Sequence, residues 1–351
     1  MFEKWNENTI TFFPYICDYY SAYFAFSKIN SLTNNKIKSP TDCGSFGDNK
    51  ILTLKKAFSE SVERRSMVAF PGKKDKVKVL DLLEGSISHI NKNNFFFSLN
   101  KKTDTTGSAV NSNCRKAIED SMLELIEKNA TVLFWYKNNG YRTNSRFLRS
   151  KVNEIIDSKY NYEIYITDSF KPINVAFVAV YKDDKLLIIG TGAGESNMSA
   201  VVKAANEAMF LNYVDKNEIP VQQILQVKQD NYTYLKQKAL LNPKTVKKLH
   251  QYPIYNIVQE KQDNHVNKKM DLIKLSLSEY TKHVYLYLQR TLNLRLVSAK
   301  VYSPDLVNYV PFKMNLNDEA KILKQLKNIK IDDSFPELRN CQIFCVNRSF
   351  S

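Results

Sequence analysis

One spacing of charged residues recurs on three stretches of this chain and constrains how each of them folds. Counted from a first position, polar residues return at offsets of four, seven and eight: Lys56, Glu60, Glu63 and Arg64, then Asp120, Glu124, Glu127 and Lys128. The third stretch keeps only Lys203 and Glu207 before Phe210 and Leu211 break the pattern. At roughly one hundred degrees per residue these offsets share one face of an α-helix. On the second helix the opposite face carries Ile118, Met122, Leu125 and Ile126, which anchors it in a core and holds its carboxylates in a fixed direction. On any single helix, a solvated face with salt bridges four residues apart would give the same pattern.

The placement of glycine weighs against that plainer reading. Six of the nine glycines, Gly44, Gly47, Gly107, Gly190, Gly192 and Gly194, fall in stretches read as loops entering the three helices. Glycine lets backbone amides approach an anion, and a helix start offers free N–H groups to phosphate oxygens, so the combination points to a nucleotide. Converging glutamates suit magnesium, which prefers oxygen ligands and bridges carboxylates to phosphates. Arg64, Lys128 and a later arginine would offset phosphate charge. GTGAG alone is neither a P-loop nor a dinucleotide fingerprint, and a structural strand-to-helix turn explains it as well.

Composition narrows the setting. The 351 residues, 43% of them hydrophobic, are enough for a sizeable core. No basic stretch leads into an apolar run at the start and no segment holds eighteen uninterrupted apolar residues, so a soluble, cytoplasmic protein is expected. Cys17, Cys43, Cys114, Cys341 and Cys345 are scattered and odd in number, and His89, His250, His265 and His283 are isolated, so neither a disulfide framework nor a zinc site is expected. The formal charge of +15 suits a polyanion. The lysines are spread through Asn-, Ile- and Tyr-rich segments, however, and no aromatic-basic motif stands out, so nucleic acid is not expected as a partner.

The first forty residues are aromatic and read as irregular, followed by SPTDCGSFGDN as a loop. Helices are predicted over about residues 51–67, 77–90, 114–136, 146–157 and 198–213, and FFFSL reads as a short buried strand. YEIYIT, VAFVAVY and KLLIIG are predicted strands, with Asp183 and Asp184 turning the last two into a hairpin. Residues 217–267 read as polar and helical in pieces, and LRLVSAKVYSP as a strand stopped by Pro304. The expected fold is α+β, with helices packed on a mixed or antiparallel sheet. Its parts are an aromatic-rich segment (1–43), a nucleotide-binding domain (44–310) and a C-terminal segment (311–351).

Taken as a set, these motifs resemble the YcaO family. AFSESVERRSM is similar to the family's E-x-x-E-R helix, AIEDSMLELIEKNATVLFWY to its second glutamate-rich helix before an aromatic segment, and GTGAGESNMSAVVKAANEAMF to its third helix. LQRTLNLRLVSAKVYSPDL resembles the late segment in which a polar cluster precedes a strand and a proline. The resemblance spans residues 44–306. It implies a single YcaO-type domain that binds ATP with Mg2+ between the motif helices. Glu60, Glu63, Arg64, Ser121, Glu124, Glu127, Glu207 and Arg290 match the ATP residues, and Glu60, Glu63, Glu124, Glu127 and Glu207 the magnesium ligands. Lys128 and Asn129 stand where the family usually has arginine and aspartate, and Phe210 where a polar residue is often found. CQIFCVNRSFS lacks the proline-rich tail common among azoline-forming members, so no catalytic proton-transfer residue is assigned.

The activity so implied is ATP-dependent activation of backbone amides in a ribosomally made precursor peptide. A Cys, Ser or Thr side chain attacks the preceding carbonyl, the oxyanion takes the γ-phosphoryl group, and phosphate departs to leave a thiazoline or oxazoline ring. The chain resembles the stand-alone cyclodehydratase subunit of azole-modified, microcin-type peptide biosynthesis, a source of bacteriocins and antibiotics. Such subunits act with a ubiquitin-activating-enzyme-like or peptide-clamp partner, and a flavin-dependent dehydrogenase can follow them. Thioamide- or amidine-forming members share every ATP residue. A non-catalytic scaffold subunit is the alternative outside enzymes, against which the retained glutamates weigh.

Overall fold

Asp183 and Asp184 both adopt left-handed backbone, with φ of 49° and 60°, as a tight hairpin turn demands. The strands on either side pair antiparallel, in agreement with the sequence reading. They belong to a computed structural model that describes residues 3–5, 12–19, 22–29, 33–34, 37–39, 42–69, 74–98, 103–216, 243–255, 269–291 and 295–309.

Strands β1 (Glu3–Trp5), β2 (Phe12–Tyr19), β3 (Ala22–Ile29), β4 (Thr33–Asn34), β5 (Ile37–Lys38) and β6 (Asp42–Gly47) precede helix α1 (Lys50–Ser66). Strands β7 (Lys76–Asp81), β8 (Ile87–Asn91) and β9 (Ser108–Asn111) lead to α2 (Cys114–Lys137). Then come β10 (Tyr141–Thr143), α3 (Arg146–Ile155), β11 (Asn161–Thr167), β12 (Asn174–Lys182), β13 (Lys185–Gly194) and α4 (Asn197–Lys216). Helices α5 (Pro243–His250) and α6 (Lys269–Ser278) and strands β14 (Tyr285–Thr291) and β15 (Leu296–Tyr302) complete the described part.

The strands form an antiparallel sheet in the order β8-β7-β14-β15-β9, with β1 joining β14 in parallel, and a second antiparallel sheet, β10-β11-β12-β13. A third, β2-β3-β6, and the short pair β4-β5 come from the N-terminal part. Helix α2 buries Met122, Leu125 and Ile126 against Val175 and Phe177 of β12 and Ala299 and Val301 of β15. The other face of the second sheet, with Ile164, Val178 and Ile188, packs on Leu148 and Val152 of α3 and the alanines of α4. Covered on both sides, β12 is buried along nearly its whole length and reads as a continuous apolar run.

Several expectations are corrected. Residues 77–90 form the β7–β8 hairpin and no helix: Val77 and Val79 are buried between exposed Lys76 and Lys78, a period of two, and Gly85 turns the chain with φ of 74°. Residues 95–98 of FFFSL form no strand; Phe95 and Phe96 are loop residues plugged against Tyr287, and Phe97 against Met67 and Val68. The aromatic start is not irregular, because β2 and β3 pair over their full length and bury Phe24 and Phe26. SPTDCGSFGDN supplies β6 to that sheet, so the 43/44 boundary falls inside a strand. His283, isolated in sequence, lies 2.7 Å from Asp81 and ties β14 to the β7–β8 turn. Of residues 217–267, only 243–255 are described, and residues 311–351 lie outside the described part. Among the described residues no helix is long and apolar enough to cross a membrane.

Candidate active site

Asn49 and Asn113 start the two carboxylate helices, accepting the N–H groups of Leu52 at 3.0 Å and Lys116 at 3.1 Å. The third helix is set by glycine in a different way from the one the sequence suggested. GTGAG is the end of β13, with α4 lying directly on it. A Cβ at Gly190 would sit 2.1 Å from the carbonyl oxygen of Ala204, and one at Gly192 would sit 2.5 Å from that of Ala200. These glycines therefore serve close strand-to-helix packing and not the approach of an anion. Gly44 makes room for the ring of Phe210 in the same fashion.

That packing brings Glu207 of α4 to Thr191 of β13, whose N–H donates to Glu207 Oε2 at 2.5 Å. The Thr191 hydroxyl lies 2.9 Å from the same oxygen and 2.8 Å from Glu127 Oε1 of α2. Lys128 Nζ is 3.3 Å from Glu127 Oε1. One turn back on α2, Glu124 Oε2 accepts the N–H of Ser108 at 3.1 Å. Glu63 of α1 lies within electrostatic reach of Glu124 and Glu60, and Glu60 pairs with Arg64 at 2.6 Å.

The charges do not balance. Glu60, Glu63, Glu124, Glu127 and Glu207, with Asp104 beside them, face Arg64, Lys128, Lys300 and, near Glu127, Lys203. Burial, then Glu124 and Glu60, hold the Glu63 carboxyl well above its usual range. Burial pushes Glu124 up to about 8 against the pull of Lys128 and Lys300. Burial and then Glu127 push Glu207 to about 7. Burial works against the Lys128 ammonium, yet Glu127, Glu124 and Glu207 outweigh it and hold its pKa up. Carboxylates that keep their protons this readily lack positive charge, and an all-oxygen donor set short of cations fits Mg2+.

Of the first positions of the pattern, Lys56 is exposed, while Lys203 donates to the carbonyl of Ala193 at 2.7 Å and lies within electrostatic reach of both Asp120 and Glu127. Ser121 is fully buried and donates to the carbonyl of Ile118 in its own helix. Arg290 is exposed near the end of β14, on the face of Leu286 and Leu288, and no hydrogen bond or ion pair among the described residues joins it to the glutamates. Asn129 exchanges two hydrogen bonds with the backbone of Val307, and Phe210 packs on Phe26, so both departures from the family pattern have packing roles. The sequence reading missed Lys300, Asp104, Ser108 and Thr191. Only Thr191, lying within GTGAG, had a local signal.

Carboxylate helices and buried cations gathered on an α+β fold have the chemistry that a divalent metal and a polyphosphate call for. The chain belongs to the YcaO family, whose description is YcaO cyclodehydratase, ATP- and Mg2+-binding, and which matches residues 21–307. ATP and Mg2+ are accordingly its cofactors. In fold the chain is similar to YcaO from Methanopyrus kandleri bound with AMPPCP and Mg2+, with a TM-score of 0.65 and 12% identity over 86% of this chain and 87% of that one. It is also similar to a chain of the E. coli microcin synthetase McbBCD complex (TM-score 0.63, 13% identity, 81% and 85% covered). The same complex with pro-MccB17 bound gives 0.64, 14%, 84% and 88%. No curated protein matches the chain in sequence.

Proposed function

We propose that this chain cyclodehydrates Cys, Ser or Thr residues of a ribosomally made precursor peptide to thiazoline or oxazoline rings, in the cytoplasm and with a separate peptide-clamp partner. The observation that carries this reading is the convergence of Glu63, Glu124, Glu127 and Glu207 from three helices onto Lys128 and Lys300. When bound, Mg2+ screens phosphate charge and ATP supplies the phosphoryl group that turns the amide oxygen into a leaving group. Glu60, Glu63, Glu124, Glu127 and Glu207 would hold the metal. Arg64 and Lys128 would orient and neutralise the phosphates, and Thr191 and Ser108 fix the carboxylates beforehand through hydrogen bonds.

Support for a partner and a peptide comes from the similar microcin synthetase, which is a complex and has been seen with pro-MccB17 bound. The test is to incubate the chain with a clamp protein, a precursor peptide, ATP and Mg2+, and to measure peptide mass and phosphate together. Loss of one water per ring with one phosphate released per water supports the proposal. A gain of mass from exchange of oxygen for sulfur would move the assignment to thioamide formation, and unchanged peptide without phosphate release would leave a scaffold.

A further inference from the structure

Lys300 is 4% exposed on β15, and burial pulls its pKa down. Its ammonium donates to the carbonyl of Asp104 at 2.8 Å and to that of Thr106, and it lies within electrostatic reach of Glu63 and Glu124. The third ammonium proton has no hydrogen-bond partner among the described residues. Residues 103–107 are buried, and the Thr106 N–H closes them into a turn on Asp104 Oδ1 at 2.7 Å. The next residue, Ser108, gives its N–H to Glu124 and its hydroxyl to Met67 Sδ at 3.3 Å. A continuous chain of contacts thus runs from the Lys300 ammonium through the loop to a carboxylate of the site. Leu296, Val297, Ala299 and Val301 give the rest of β15 an apolar core, so the charged residue is not there for packing. Burying an ammonium is costly unless its partners are fixed, and an apolar side chain of similar volume would serve the core at least as well.

We infer that Lys300 is a positioning residue for the ATP- and Mg2+-dependent reaction: it locks the 103–108 loop so that Glu124 is held in one place beside Glu63. The inference rests on the nucleotide and metal site proposed above. Like partners behind metal ligands generally, it acts on affinity through the residue it orients.

The experiment compares the full chain with Lys300→Met and Lys300→Arg. It measures amide hydrogen exchange and the MgCl2 dependence of AMPPCP binding. In Lys300→Met the amides of residues 104–108 are expected to exchange about tenfold faster while those of β11–β13 stay unchanged, and the Mg2+ half-saturation point to rise about tenfold or more. Lys300→Arg, which keeps charge and donors, is expected to restore both to within about threefold. A folded Lys300→Met protein in which either quantity stays within about twofold of the parent overturns the inference. If Lys300→Met does not fold, the Arg variant decides. Parental loop exchange and Mg2+ dependence uphold the inference, and a folded Arg protein that has lost either overturns it. A parent chain that fails to bind AMPPCP with Mg2+ would overturn the site itself, and this inference with it.

Discussion

Glu127 and Glu207, from different helices, share the hydroxyl of Thr191, which lies 2.8 Å from one carboxylate and 2.9 Å from the other. A hydroxyl has one proton to share between two acids, and burial and the nearby Glu127 raise Glu207 to about 7, so Glu207 takes up a proton more readily than an ordinary carboxyl before metal binds. Thr191→Val keeps the shape and removes the bridge. Mg2+ affinity is expected to fall about tenfold, read from the MgCl2 dependence of phosphate release.

The raised carboxyl groups also set a pH dependence. Glu63, Glu124 and Glu207 bind protons more tightly when folded than when unfolded. Their contribution to stability is therefore fully present below the ordinary carboxylate range and is lost as pH rises through about 7 and 8. Metal-free protein should melt on the order of 5 °C lower at pH 8.5 than at pH 6. Saturating Mg2+ should raise the melting temperature more at the higher pH, and Glu124→Gln should flatten the metal-free slope.

Glu60→Ala, Glu124→Ala and Glu207→Ala are each expected to lower ATP-dependent phosphate release by at least about a hundredfold. Their melting temperatures in metal-free buffer should fall by no more than a few degrees, because relief of crowded like charge offsets the hydrogen bonds that each removes. Loss of fold together with activity would mean that these residues are structural.

Asn129 makes a structural prediction next to the site. Its side chain donates to the carbonyl of Val307 at 3.0 Å and accepts the N–H of Val307 at 2.9 Å, holding the chain after β15 against α2. Asn129→Ala leaves two buried backbone groups unpaired and should cost about 2 kcal/mol by chemical denaturation, with the Mg2+ dependence of the folded enzyme unchanged.

The carboxylate helices were legible because a 3.6-residue period writes a functional face directly into the sequence, as Glu124 and Glu127 opposite Met122 and Leu125 show. Strands β11 to β13 were legible from their β-branched runs and the Asp183-Asp184 turn. The β7–β8 hairpin was misread because Leu80, Leu82 and Leu83 imitate a helical face and mask the alternation of Val77 and Val79. Lys300 had no local signal at all: a single lysine in an apolar strand gains its meaning from the loop 196 residues earlier that its ammonium holds. The glycines of GTGAG were read as letting an anion approach, whereas what they admit is the backbone of α4. Arg290 followed a motif match, but it lies exposed near the end of β14, and no hydrogen bond or ion pair among the described residues joins it to the glutamates.

The most direct measurement is the anomalous signal of Mn2+ in crystals of the chain grown with AMPPCP. Peaks at coordination distance from carboxylate oxygens of Glu63 and Glu124 or of Glu127 and Glu207, with the phosphates beside Lys128, are the expected result. Mn2+ and nucleotide bound elsewhere, with these glutamates free of metal, would contradict it.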